Sequence, residues 1–287
     1  MAGAVWADDF DSGGATPVDP QPLEGPVSHY LSSLPLWLLI LLISIVPTAI
    51  AMVAQILIRR WVGVDKLAKN NEIAGFKFAT VGVIYAVLLA FSVIVVWEKF
   101  NDAENAVAEE AGATAALFHY AEGNDPEAHA VRKAITNYLK VVIDKEWPAM
   151  ALESDTRDAT HALDGIYAAA LTLNQSSTRD TADMSEVFRQ IDTVTSSRRA
   201  RLHLASGLVP DVIWIALFLG AGLTVGFTLF FGSENFVAQV AMTGVLSILV
   251  TMGLVVIVSI DHPFTGPVYI HPDPLAAVLE EFGEPSG

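Results

Sequence analysis

The sequence predicts an all-α membrane protein: four transmembrane helices, with a helical extramembrane bundle inserted between helices two and three. Three observations predict it. Of 287 residues, 53% are hydrophobic and 17% charged, whereas a soluble domain carries roughly a quarter charged residues. The charges avoid four long apolar runs rather than thinning out evenly. Between the second and third runs, the apolar residues recur at helical spacing and never alternate as in a strand.

A membrane-crossing helix needs about 20 apolar residues to traverse about 30 Å of hydrocarbon. Leu34 to Ile58 is long enough and uncharged, and Pro47 predicts a kink near its middle, with Ser44 or a neighbouring helix satisfying the freed carbonyl. Its Ala49-Ile50-Ala51 mimics a signal-peptide cleavage site. No basic residue precedes the run and it exceeds an h-region, so a retained span is expected. Phe76 to Trp97 is the second run, with Lys77 close enough to its end to snorkel. Val212 to Phe231 and Phe236 to Ile260 follow, joined as an antiparallel hairpin by Gly232-Ser233-Glu234-Asn235. Trp37, Trp61, Trp97 and Trp214 lie near run ends, where amphipathic rings favour the interface.

Residues 1–33 read as a disordered acidic tail, 34–97 as transmembrane helices 1 and 2, and 98–206 as the helical extramembrane domain. Residues 207–260 hold transmembrane helices 3 and 4, and 261–287 a C-terminal segment with a short amphipathic helix from Asp273-Pro274. Phe100, Ala103, Val107, Ala111, Thr114 and Phe118 step by three and four, so the second span is expected to run on into water as one helix. Asp125-Pro126 predicts an N-cap and first turn, and Trp147-Pro148 a stop. Two further helices are expected, from about Thr156 to Leu173 and after Ser177.

The formal net charge of −16 argues against a nucleic-acid partner, since phosphate backbones are held by clustered Lys and Arg. It argues equally against an electrostatic hold on anionic lipid. With no cysteine, disulfides, thiolate metal sites and Cys nucleophiles are excluded. The seven histidines are scattered, and no Gly-rich phosphate loop or nucleophile elbow occurs, so neither catalytic residues, metal ligands nor a cofactor is expected. Glu109-Glu110 reads as a solvated helix face.

Gln239, Thr243, Ser247 and Thr251 recur at i+4 in the fourth span and form one polar stripe. Such a stripe faces a neighbouring helix as hydrogen-bonding glue, or water as pore lining. Phe78, Tyr85 and Ser92, seven apart on the second span, are either a hydrophobic constriction or core. Gly82 and Ala86, with Ala79 and Ala90, and the Gly222-x-x-x-Gly226 pair are expected to let helices pack closely. No charged residue lies deep in any span, which disfavours an ion-coupled transporter.

Gly75-Phe76-Lys77-Phe78 through Gly82 to Phe91 and Val96-Trp97, Ser197-Arg198-Arg199-Ala200-Arg201 before Pro210-Asp211-Val212-Ile213-Trp214, and Asp261-His262-Pro263-Phe264-Thr265-Gly266 resemble segments of the bestrophin-like membrane proteins. The resemblance implies a multi-pass protein of a bacterial plasma membrane. It further implies a homo-oligomer, a pentamer as in bestrophins, that conducts inorganic ions, anions in that family, passively. Phe78, Tyr85 and Ser92 would line the pore with the fourth-span stripe, and Asp261, Pro263 and Phe264 would form the closing motif. Bestrophins open an acidic calcium-binding loop there; here Thr265-Gly266-Pro267-Val268 takes its place, so no calcium clasp is implied. A non-conducting sensor or scaffold, whose bundle binds a partner, is the alternative. Orientation has two opposed readings. Arg59, Arg60, Lys66 and Lys69 place the first loop inside, whereas the resemblance, with Arg198, Arg199 and Arg201, places the bundle there.

Overall fold

A computed structural model describes residues 34–69, 71–152, 154, 156–176 and 181–283; the acidic tail and the start expected at Ser177 lie outside the described residues. Nearly everything described is helix, and no strand occurs among the described residues.

Helix α1 (Leu36–Val62) is the first span. Its middle widens into a π turn over Leu41–Ile45, just ahead of Pro47. That turn absorbs the missing proline N–H. Ser44, inside it, does not serve the local backbone: its hydroxyl meets Thr251 Oγ1 at 2.9 Å. Gly63, at φ 81°, ends α1 and admits the short α2 (Val64–Ala68). Helix α3 (Asn71–Tyr120) is one unbroken helix of 50 residues. At about 1.5 Å per residue it is about 75 Å long, more than twice the hydrocarbon thickness, so its C-terminal half stands in water.

Helix α4 (Pro126–Val141) begins with Pro126 at the first position, but the Asp125 side chain makes no cap bond. The stop expected at Trp147-Pro148 does not occur. A second π turn, Val142–Glu146, precedes that proline too, and the helix continues over Trp147–Ala151. Helices α5 (Asp158–Ser176) and α6 (Thr181–Leu204) complete the bundle. Spans three and four are α7 (Asp211–Phe227, prolonged by a 3-10 turn, Thr228–Phe230) and α8 (Phe236–Ile260). Asn235 caps α8 by accepting from the Ala238 N–H at 3.1 Å. Helix α9 (Asp273–Gly283) folds back on α3, where Phe282 stacks on Phe118 with ring centroids 4.9 Å apart.

Two cores result. Val107, Leu117, Tyr138, Ile166 and Ile191 belong to the bundle core, and Leu39, Tyr85, Val96, Leu217 and Ile257 to the membrane core. Only α3 contributes at length to both, which makes it the shaft on which the two halves are mounted.

Candidate functional site

The polar stripe of α8 is paired. Thr48 donates to Ser247 Oγ at 3.0 Å, Ser44 meets Thr251, and all four stripe residues are buried. Gln239 donates from Nε2 to the Phe231 carbonyl at 2.6 Å, while its Oε1 accepts from Arg59 at 2.6 Å. Thr243 donates to the Gln239 carbonyl at 3.2 Å. Within the protomer these bonds hold α8 on α1 and the hairpin loop, and Gln239 and Thr243 also line a cavity of about 450 Å³ together with Phe78.

Phe78, Tyr85 and Ser92 likewise face inward within the protomer. Tyr85 and Ser92 are buried and Phe78 is half-buried, on the side of α3 that meets α7 and α8. Phe78 packs between Phe227 and Phe231, with centroids at 6.0 and 5.6 Å, and Ser92 donates to its own helix at Leu88 O. A heptad repeat marks one helix face, and here it marks the inner one.

The opposite ridge of α3 is uncovered by the other described residues. Phe76, Thr80, Val83, Val87, Phe91 and Ile94 step along it by three and four, all exposed. Past the bilayer the same ridge continues as Glu98, Asn101, Asn105, Glu109 and Gly112. One rigid face thus changes from apolar to acidic at the membrane boundary.

Close helix approaches occur at glycines other than the expected ones. A β-carbon on Gly220 would stand 2.5 Å from the Tyr85 ring, and one on Gly253 2.5 Å from Leu89. Among the described residues nothing lies within 4 Å of such a carbon on Gly82, Gly222 or Gly226, and Ala86 is exposed. The packing role expected of these four is therefore not exercised within the protomer. At the hairpin loop, a β-carbon on Gly232 would stand 2.7 Å from the Ala68 backbone nitrogen, which no side-chain rotation relieves. Gly232→Ala should cost about 1–3 kcal/mol, and Gly222→Ala none, as thermal melting of the purified protein will show.

The bundle core holds four charges. Arg201, fully buried, donates from Nε to Glu110 Oε2 at 2.7 Å and from Nη2 to Glu146 Oε2 at 2.7 Å. Arg198 donates to Glu146 Oε1 at 2.6 Å and to Thr160 at 3.1 Å, and Tyr138 donates to Glu110 Oε1 at 2.7 Å. Two cations face two carboxylates, so the cluster is neutral. Burial pulls the Arg201 pKa down, but the charges and hydrogen bonds of Glu110 and then Glu146 outweigh it and hold the guanidinium above its ordinary range. Burial, with the negative charge of Glu110, pushes the Tyr138 phenol well above its usual value. Glu110 is thus no solvated residue; only Glu109 is exposed. Arg198 and Arg201 are spent inside the bundle and offer no free charge to a bilayer surface. Glu146 reaches the cluster from the second π turn, as Ser44 reaches α8 from the first.

At the foot of α8, Asp261 is fully buried and its Oδ1 accepts from the Leu208 and Val209 N–H groups at 3.0 and 2.8 Å. Its Oδ2 lies 3.3 Å from His262 Nδ1. Phe264 packs edge-on against Trp147 at 5.4 Å, and the Pro263 carbonyl accepts from Ile270 N–H at 2.7 Å. The motif thus ties the α6–α7 link, the end of α8 and the bundle together. It does not fit a calcium clasp: 265–268 hold no carboxylate, and Asp261 Oδ1 is committed to two backbone N–H groups.

Four spans and a water-facing bundle, carried on one continuous shaft helix, define an all-α polytopic membrane protein. The chain belongs to the bestrophin-like family: the model of the bestrophin-like domain matches residues 45–275. Solved structures agree in fold. A bacterial bestrophin homologue from Klebsiella pneumoniae superimposes with a TM-score of 0.65 at 14% identity, covering 84% of this chain and 99% of that one. A point variant of that homologue gives 0.66 at 12%, covering 84% and 99%. A point variant of a protein described as a membrane protein gives 0.68 at 13%, covering 84% and 98%. No curated protein matches the chain.

Proposed function

We propose that the protein is a homo-oligomeric ion channel whose pathway is lined by the outward ridge of α3, with five copies around the axis as the family resemblance implies. Family membership supports an ion channel in kind. The observation that carries the finer reading is the uncovered ridge itself, apolar but for Thr80 from Phe76 to Ile94 and polar from Glu98 to Gly112 on one rigid helix. An apolar ring in the bilayer gates by dewetting, without a buried charge. Below it, each copy adds Glu98 and Glu109 to the mouth, and rings of carboxylates favour cations. The nearby Arg198 and Arg201 are neutralised in the bundle core and Lys99 is paired with Asp102 at 3.0 Å, so little positive charge opposes them. The chain's own charges therefore favour cations over the anions that the resemblance implies.

Purified protein in planar bilayers under a salt gradient tests both parts. We expect ohmic currents with a reversal potential near that of the cation, and larger conductance in Ile94→Ala. The doubly substituted Glu98→Gln, Glu109→Gln should move the reversal potential towards zero. A folded oligomer that passes no current would leave the sensor or scaffold reading, and an anion-selective current would refute the assignment of sign alone.

A further inference from the structure

The end of the membrane domain remote from the bundle carries a groove that no described residue fills. It lies between the end of α1, α2 and α7, with a volume of about 630 Å³, and Ile58, Val62, Lys66, Gly222, Gly226 and Phe230 line it. Gly222 and Gly226, one turn apart, form its floor, and no described residue stands within 4 Å of where their side chains would begin. Its walls are apolar, with the Phe230 ring 62% exposed. The one charged lining residue is Lys66 at the mouth, exposed and in no ion pair among the described residues.

We propose that this groove binds a membrane phospholipid, one acyl chain lying over Gly222 and Gly226 and the phosphate held by Lys66, with anionic headgroups preferred. Depth supports it. Val62 closes the first span and Lys66 follows four residues on, so its ammonium stands at headgroup level above apolar walls. Trp61, 88% exposed beside it, is the amphipathic ring that such an interface attracts. Charge supports it too. Residues 59–69 carry four basic residues against one acidic, Asp65, the reverse of the chain's balance of −16. Arg59 is not free to serve: it donates to the Ser233 and Glu234 carbonyls and to Gln239. Lys66 therefore faces the bilayer as a point charge, the form in which lysine binds phosphate.

Native mass spectrometry of the delipidated, intact protein, with phosphatidylglycerol or phosphatidylcholine added back, tests this. Phosphatidylglycerol should be retained about fivefold more tightly than phosphatidylcholine, the worth of one lysine near an anionic headgroup. Lys66→Glu should remove that preference. Gly226→Leu, which fills the groove where there is open space, should reduce retention of both lipids. If Gly226→Leu does not yield folded protein, Lys66→Glu is decisive alone, since it alters an exposed side chain. Equal retention of both lipids by wild type and Lys66→Glu would overturn the proposal. So would a Gly226→Leu protein that keeps its lipid but changes its oligomeric mass, which would assign the groove to a second copy of the chain.

Discussion

Arg201→Ala should destabilise the bundle by about 3–5 kcal/mol, the cost of removing one partner from a buried ion pair. The substitution strands one carboxylate and strips another of one of its two cations. Glu110 keeps only the Tyr138 hydroxyl, and Glu146 keeps Arg198. Both are buried, so water does not screen them. The lost packing adds to this, because the guanidinium also lies 5.2 Å over the Trp147 ring and donates to Met150 Sδ at 3.0 Å. Thermal melting of the purified protein, followed by circular dichroism, will read the loss. Arg198→Ala should cost less, since Arg201 still neutralises Glu146. The double substitution Glu110→Gln, Arg201→Met should cost less than the sum of its parts, because it leaves the balanced pair Arg198–Glu146 and no orphaned charge. A double variant as damaged as the sum would show that the cluster's charges do not act together.

The cluster also shows what the sequence makes legible. The spans and the bundle helices are readable because each rests on a local period, and local periods survive without knowledge of the partner. The i+4 stripe at Gln239, Thr243, Ser247 and Thr251 is a real feature, and its period says that the four share a face. What covers that face is supplied by Ser44 and Thr48, about 200 residues away in the chain, and no local pattern names them. Glu109 and Glu110 are one residue and about 100° apart on the same helix. Arg201, 91 residues on, decides which of the two is buried. The heptad through Phe78, Tyr85 and Ser92 is ambiguous for the same reason. Aromatic and small polar residues at helical spacing fit a core against Gly220 as well as a constriction, and only the tertiary contact distinguishes them.

Prolines were the second source of error, with a physical cause. Pro148 reads as a helix stop because its ring clashes with the preceding turn. A π turn accommodates one extra residue just before the ring, at Val142–Glu146 and again at Leu41–Ile45 before Pro47. Each turn re-aims a polar side chain into a buried contact, Glu146 to the arginines and Ser44 to Thr251. The prolines therefore mark where the helices are re-aimed, and in both cases the contact joins helices distant in sequence.

The junction below α8 carries the second large expectation: Asp261→Ala should cost about 3 kcal/mol, since a hydrogen bond to a charged group is worth about 1.5–3 kcal/mol and two amide donors lose their acceptor. Leu208 retains one bond, to the Asp261 backbone carbonyl at 3.0 Å, but Val209 keeps none from this residue. Asp261→Asn is the informative control. Its amide oxygen can still accept from both N–H groups, so it should retain more than half of the stability lost in the alanine variant. What it changes is the atom facing His262, where an oxygen becomes an amide nitrogen. Melting temperatures will separate the two variants, and bilayer currents from the asparagine protein test the coupling. Asp261 fixes the end of α8 to the link between α6 and α7, and α6 carries Arg201, which grips the shaft helix at Glu110. A stable Asp261→Asn oligomer with altered gating would show that this chain of contacts carries force from the bundle to the ridge of α3. One with unchanged currents would limit Asp261 to holding the turn.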